Sequence, residues 1–455
     1  MTRRLLPLAL ATLAATTLAA CTPSVPGPTA EPSATPSATG TGTGTGTGEA
    51  SAAPSRSPTP RPAPTPTEPA DFANPWGPTP QEVDSATAIA AQMTPEEVAG
   101  QVIVSTILVP DPSAVAQHVA ELHLGGVILM GDAVTGLDQV VTLTDAVQGA
   151  QADGGRDWPA LVSTDNEGGT VQRLDAAAGP WTDFPEYAVA GQAVANGRTD
   201  VVRDAYAAMA RELRGSGVNT DWAPVADVTV PGQDVTIGGR SAGSDAAVAV
   251  AAETVGATVA GFLDEAVLPS AKHFPGHGSL SVDSHERLPT LERTEDQIAA
   301  QDLPPFEAAV QAGTPMVMMG HIEVRAWDPG VAASVSPEAY RRLREDLGFS
   351  GVAVTDGLDM GALTPVGDPG DIAVAALGAG ADLLLGPADD ATAHAGVVAA
   401  LRDGTLDRAR VDEAAGRVIA MMQHQSELAE QAGPVGPDAV GSADEPVAAL
   451  SDAAD

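Results

Sequence analysis

The feature that most constrains this chain is an alternation. Eight short runs rich in β-branched and apolar residues lie at 102–107, 126–130, 160–164, 218–222, 268–271, 316–320, 351–355 and 382–385. Longer segments separate them, and those at 136–149, 199–215, 245–265, 294–313, 337–346 and 371–380 are each long enough for a crossover helix. A strand–helix alternation implies a parallel sheet. Eight repeats fit a closed (β/α)8 barrel, a TIM-like α/β fold, better than an open sheet. An open doubly wound sheet would be expected to carry a Gly-rich phosphate turn after its first strand, and none is visible there.

The flanks read differently. Residues 1–20 have a basic start (Arg3, Arg4), an apolar run from Leu5 and small residues at the end, the layout of an export signal. Leu18-Ala19-Ala20-Cys21 resembles a bacterial lipobox, which implies cleavage before Cys21 and lipid on its thiol. Cys21 is the only cysteine among the 455 residues, so an intramolecular disulfide and a thiolate zinc site are excluded. Residues 21–78 are a Pro/Ser/Thr/Gly-rich linker with too little apolar surface to offset chain entropy. Residues 79–426 are expected to form the barrel as a single catalytic domain, and the acidic stretch 427–455 to be a disordered tail. The expected location is the outer face of the cytoplasmic membrane, touched by the lipid anchor only. A net charge of −38 argues against nucleic-acid binding, which needs basic patches. A monomer without cofactor is expected.

Polar residues stand where the apolar runs end. Asp165 follows the third run, Asp221 and Asp227 the fourth, Lys272 and His273 the fifth, His321 the sixth and Asp356 the seventh. In a barrel these strand ends open onto one face, where the chemistry of the fold resides. The densest stretch is 272–285, KHFPGHGSLSVDSH, which holds three of the eight histidines and the only lysine of the chain. Pro275, Gly276 and Gly278 allow sharp turns there. His273, His277, Asp283 and His285 could in principle surround a metal. The proline and glycines rule out the helical i,i+4 pairing of a zinc-protease site, and no metal is expected.

Three segments, LVSTDNEGGTVQRL at 161–174, the loop at 272–285 and GVAVTDGLDM at 351–360, occur in this order. Together they resemble the bacterial β-N-acetylglucosaminidases of glycoside hydrolase family 3, over roughly residues 81–425. The resemblance implies a retaining exo-enzyme acting on a carbohydrate, terminal β-linked GlcNAc of peptidoglycan fragments or related glycans. By the same resemblance Asp356 is the nucleophile that forms a covalent glycosyl-enzyme, His285 the general acid/base and Asp283 its carboxylate partner. Asp165, Arg173, Arg240, Lys272 and His273 match residues that bind sugar hydroxyls, with Arg240 placed by Ile237-Gly238-Gly239-Arg240-Ser241. A β-glucosidase or phosphorylase on the same barrel, and a sugar-binding lipoprotein with a dead site, are the alternatives.

The chemistry agrees with those roles. A retaining glycosidase needs one ionised carboxylate under the anomeric carbon and one proton donor beside the leaving oxygen. Imidazole titrates near neutrality, so it can give and take a proton at small cost. Residues 283 and 285 are two apart, so an extended backbone puts both side chains on one side. A mobile loop is expected to bring His285 in after substrate binds. His277 could bind the sugar or shape the loop, and His321 is expected to line the pocket. Glu167 and Asp359, past the strand ends, are set aside as nucleophiles. Family members often carry a polar pair after PGHG, where this chain has Ser279-Leu280. Every catalytic group is expected to come from the barrel itself.

Overall fold

The computed structural model describes residues 77–455 apart from 233–235. The leader, Cys21 and nearly all of the linker lie outside the described residues. The eight expected strands are present: β1 (Ile103–Ile107), β2 (Gly126–Leu129), β3 (Leu161–Thr164), β4 (Thr220–Asp221), β5 (Leu268–Phe274), β6 (Met316–Met319), β7 (Val352–Thr355) and β8 (Leu384–Leu385). Each pairs in parallel with the next from β1 to β7. β8 pairs with β1 through Ile103–Leu384 and Val104–Leu385, and a parallel bridge from Val354 to Leu383 joins it to β7. The sheet therefore runs round on itself, with one long helix or helix pair packed outside most connections, and every strand end that points up opens on the same bowl.

Two boundaries differ from the sequence reading, and both bear on the site. β4 shrinks to two residues, while β5 runs on to Phe274, so Lys272 and His273 lie within a strand rather than just after one. The segment 294–313 is two helices, Glu295–Gln301 and Pro304–Gln311. Pro304 and Pro305 lack the amide hydrogens a continuous helix would need, and Pro304 instead starts the second one. Elsewhere the loops over the bowl are ended by side-chain caps. Asp111 accepts from Ser113 and Ala114 before the helix Pro112–Leu122, and Asp368 accepts from Gly370 and Asp371 before Pro369–Ala379.

The expectation of a disordered tail from 427 is overturned. The helix Arg408–Ala432 continues past that point, and a further helix, Asp444–Ala454, buries Leu450 and Ala453. This last helix packs on Tyr187–Ala195 and Thr199–Gly215. Buried Glu212 accepts from the Ala443 amide at 3.0 Å, Arg214 donates to the Gly433 carbonyl at 2.7 Å, and Asn196 donates to the Ala453 carbonyl at 3.0 Å. Acidic composition hid a short apolar stripe, Val447, Leu450 and Ala453, at helical spacing.

At the foot of the barrel, opposite the bowl, Asp382 opens the approach to β8 and is fully buried. Arg344, Arg410 and Arg417 converge on it, the last at 3.1 Å, and the Ala353 amide donates to it at 3.0 Å. Burial pushes its carboxyl upward, but the three guanidinium groups outweigh that and hold it below its ordinary value of 3.8. Asp382→Asn should cost about 3–5 kcal/mol, because three cations lose their common counter-charge. A lowered folded-state pKa means that this stabilisation is complete above pH 3.8 and is lost as pH falls through the folded value. Denaturant titrations of wild type and variant should therefore differ most near neutrality and converge toward pH 2.

Candidate active site

The bowl holds a cavity of about 320 Å³ lined by Asp165, Arg173, Arg240, Lys272, His273, His285 and Asp356, together with Glu167, His277, Ser284 and Asp359. Seven of the eight residues assigned to catalysis or sugar binding thus meet in one place. The eighth, Asp283, stands behind His285. Of the seven strand-end groups expected to converge, Asp221, Asp227 and His321 do not line the cavity; they are buried beneath it.

Asp356 follows β7 directly. Its amide donates to the Met319 carbonyl, and its Oδ1 accepts from the Gly357 amide at 2.8 Å. Burial alone would raise this carboxyl. His273 and His321, the Gly357 amide and Lys272 more than offset it and hold the group at about 2. It is ionised in water of any ordinary pH, which is the state a nucleophile needs. His321 serves it from below: Nε2–H donates to the Gly357 carbonyl at 2.8 Å, so Nδ1 accepts from the Ser334 hydroxyl at 2.7 Å. With both ring nitrogens spent and burial favouring the neutral ring, His321 is a support for the Asp356 turn. Asp359, on the wall, is pushed above its ordinary value by burial and by the charge of Asp356.

The opposite wall is a charge network. Lys272 Nζ lies 2.7 Å from Asp165 Oδ1 and 2.6 Å from Glu167 Oε1. Glu167 also takes Arg240 in a two-pronged pair at 2.7 and 2.8 Å. Burial would raise Glu167, yet Lys272 and Arg240 bring it down to about 2. Lys272 is fully enclosed, which by itself would lower it, but Asp165 and Glu167 raise it above its ordinary value. Both cations stay charged while out of bulk water. Arg173 joins this wall through the Asn166–Gly168 and Val171–Gln172 hairpin, where its amide donates to the Asp165 carbonyl at 3.0 Å.

The loop after β5 hangs from Asp227. One carboxylate oxygen accepts the His273 and His277 amides at 3.2 and 2.6 Å, and the other accepts His273 Nδ1–H at 2.7 Å, leaving Nε2 of that ring for the cavity. Gly278 runs so close to Val228 that a Cβ would sit 2.4 Å from its carbonyl oxygen. Leu280, half of the unusual Ser279-Leu280 pair, is buried in the core and anchors the loop from below. His277 Nε2 then pairs with Ser284 Oγ at 3.1 Å, so the histidine of the PGHG turn shapes the loop.

The loop's far end carries His285, whose ring is two-thirds exposed at the cavity mouth, with a side-chain exposure of 66%. Asp283 Oδ1 accepts both its amide, at 2.9 Å, and its Nδ1–H, at 2.7 Å. This leaves Nε2 as the ring nitrogen that can exchange a proton with a ligand. Burial pushes Asp283 up, but those two donors hold it below its ordinary value. The loop is docked in place. The Gly361 amide donates to the His285 carbonyl at 3.0 Å and the Ala362 amide to the Ser284 carbonyl at 3.2 Å. Gly361 has no room for a side chain, since a Cβ would lie 2.6–2.7 Å from the Glu286 and His285 oxygens. The carrier of His285 is thus bonded to the turn that begins at Asp356.

Sequence reasoning gave no specific role to three working groups: Asp227, named only as a strand-end residue, Glu167, set aside as a nucleophile, and Ser284. Asp227 stood at a strand end, which was the available signal. Glu167 and Ser284 show their partners only once distant segments meet. Among the described residues no three His, Cys, Asp or Glu side chains gather as a metal cage. Asp227→Ala would orphan two buried amides, each worth about 1–3 kcal/mol. Hydrogen exchange should become much faster across 273–285 while β1–β3 stay protected. Unchanged exchange in the loop would refute the anchoring role.

Comparison with known proteins bears on the whole barrel. The family description "Glycosyl hydrolase family 3 N terminal domain" matches residues 94–421. The chain is 31% identical over 289 residues to beta-hexosaminidase A of Pseudoalteromonas piscicida, covering 61% of this chain and about half (48%) of that protein. It is 32% identical over 353 residues to beta-hexosaminidase LpqI of Mycobacterium tuberculosis, covering 76% of this chain and 87% of that one. A solved glycoside hydrolase family 3 β-N-acetylglucosaminidase from Paenibacillus superposes with a TM-score of 0.73 at 29% identity, over 80% of this chain and 69% of that one. The match takes in all eight strands and every loop that builds the cavity, and the chain belongs to glycosyl hydrolase family 3.

Proposed function

We propose that this protein is a retaining exo-β-N-acetylglucosaminidase that removes terminal β-linked GlcNAc from glycans such as peptidoglycan fragments. The observation that carries the reading is the docking of the His285 loop onto Gly361 and Ala362, five and six residues beyond Asp356. It joins an ionised, half-buried carboxylate and an exposed imidazole to a single cavity. In the first step Asp356 attacks the anomeric carbon while His285 Nε2–H protonates the leaving oxygen, giving a glycosyl-enzyme. In the second, His285 takes a proton from water, which displaces Asp356 from the same carbon. Asp283 keeps Nδ1 protonated and orients the ring, so the proton travels through Nε2 in both steps.

The distribution of polarity favours an exo mode. The buried wall of Asp165, Glu167, Lys272 and Arg240 suits the hydroxyls of one terminal sugar. His285 stands at the open side, where the rest of the glycan would leave. Asp356→Ala should abolish release of an aryl leaving group from its β-GlcNAc glycoside. His285→Ala should lose far more activity on poor leaving groups than on activated ones, because only the former need the proton. Equal losses would count against the acid/base role. Running β-glucoside and β-GlcNAc substrates side by side, with and without phosphate, and identifying products by mass, separates hydrolysis from phosphorolysis.

We further infer from residues 1–21 that the enzyme is exported and tethered by lipid on Cys21, close to cell-wall substrate. Cys21→Ala should move the protein from the membrane fraction to the soluble fraction of cells expressing the full chain. Unchanged membrane association would refute the tether.

A further inference from the structure

Glu167 is set aside as a nucleophile, and neither step of the reaction above passes through it. It is nevertheless a carboxylate with a side-chain exposure of 2% at the wall of the sugar cavity. Its Oε1 meets Lys272 Nζ at 2.6 Å and Arg240 Nη2 at 2.8 Å, while Oε2 takes Arg240 Nε at 2.7 Å. The two cations come from unrelated places. Lys272 lies in β5, whereas Arg240 closes the short turn Gly238–Arg240, in a connection outside the barrel strands. That turn leans on the same hairpin as Glu167: a Cβ on Gly239 would lie 2.9 Å from the Glu186 carboxylate, and one on Gly169 2.8 Å or less from it. The Thr170 amide donates to Glu186 at 3.3 Å. Two Gly-Gly pairs, at 168–169 and 238–239, thus let two segments pack around Glu186 and bring Arg240 to Glu167.

Within the directly bonded set of Lys272, Arg240, Asp165 and Glu167 the charges balance only with Glu167 included. Lys272 and Arg240 supply two positive charges, and Asp165 and Glu167 two negative ones. Asp221, beneath them, accepts the Asn166 amide at 2.8 Å, and burial raises its carboxyl above its ordinary range. Two cations sharing one carboxylate in a dry wall would repel each other without it.

We propose that Glu167 is a positioning residue for the glycosidase reaction. It holds the Lys272 ammonium and the Arg240 guanidinium side by side in the geometry that grips the terminal sugar, and it keeps Lys272 protonated. This rests on the proposed activity, and it makes a claim about Lys272 that can be read without turnover. Lys272 is the only lysine in the chain, so 15N-labelled lysine gives one side-chain ammonium signal to titrate. In Glu167→Gln the loss of a counter-charge should lower the Lys272 titration midpoint by about one unit or more. KM for an aryl β-GlcNAc should rise about tenfold, and the alkaline limb of kcat/KM should move to lower pH with the ammonium. Glu167→Asp, which restores the charge on a shorter stem, should return the alkaline limb toward its wild-type position while KM stays raised.

Arg240→Gln provides the opposite sign. Arg240 lowers the proton affinity of Lys272, so its removal with Glu167 intact should shift the Lys272 signal upward, and this variant answers even if Glu167→Gln does not fold. Shifts in the same direction in both variants, or an unmoved Lys272 signal with unchanged KM, would overturn the proposal. Absence of turnover in wild type would instead refute the proposed activity, and the ammonium titration would still decide what Glu167 does.

Discussion

Closure of the parallel sheet is the constraint on which everything else rests. A parallel strand cannot be reached by a tight turn, so each of the eight must be followed by a crossover that returns the chain to the same end. The bridge from Val354 to Leu383 and the pairing of β8 with β1 leave the ring without a free edge. Once the ring closes, the upper ends of the strands face one another around a cavity of about 320 Å³. Residues as far apart in the chain as Asp165 and Asp356 then share one cavity. The same closure puts Asp382 and its three arginines at the other end, where they knit the outer helices to the last strand.

The site is organised by where its charges are allowed to be. On the buried wall, two cations and two carboxylates neutralise each other away from bulk water, and Asp221, its carboxyl pushed upward by burial, lies beneath. Opposite, Asp356 stays ionised although half-buried, because two imidazoles, a backbone amide and an ammonium face it. The imidazole proposed to carry the proton is placed differently. His285 stands in solvent on a loop that owes its position to backbone hydrogen bonds and a close-packed glycine rather than to burial of its ring. Stable buried charges suit groups that bind or attack, and an accessible ring suits a group that must exchange protons in both steps.

The loop at 272–285 divides accordingly. Its first residues are part of β5, where Asp227 holds His273 by ring and amide. Its last residues dock on the turn after Asp356. Between them His277 joins the two, taking its amide to Asp227 and its ring to Ser284. This arrangement is more fixed than the glycines and proline alone suggest, since those residues serve close approach to Val228 and Asp302 as well as turning.

Much of this was legible in the residues. The alternation of apolar runs with helical segments determined a parallel barrel, because strand length, helix length and order are local properties of the chain. The strand-end placement of Asp165, Lys272, His273 and Asp356 pointed to the bowl for the same reason. The terminal helix was missed because acidic composition is averaged over the tail, while its burial depends on three apolar residues finding the 187–215 helices. Glu167, Asp227 and Ser284 could not be assigned from the sequence either, since a carboxylate's role is set by the charges that surround it. Only the tertiary structure brings Arg240 to Glu167, His273 to Asp227, and the His285 loop to the turn of Asp356. Those contacts join segments many tens of residues apart, and no local pattern encodes the distance between them.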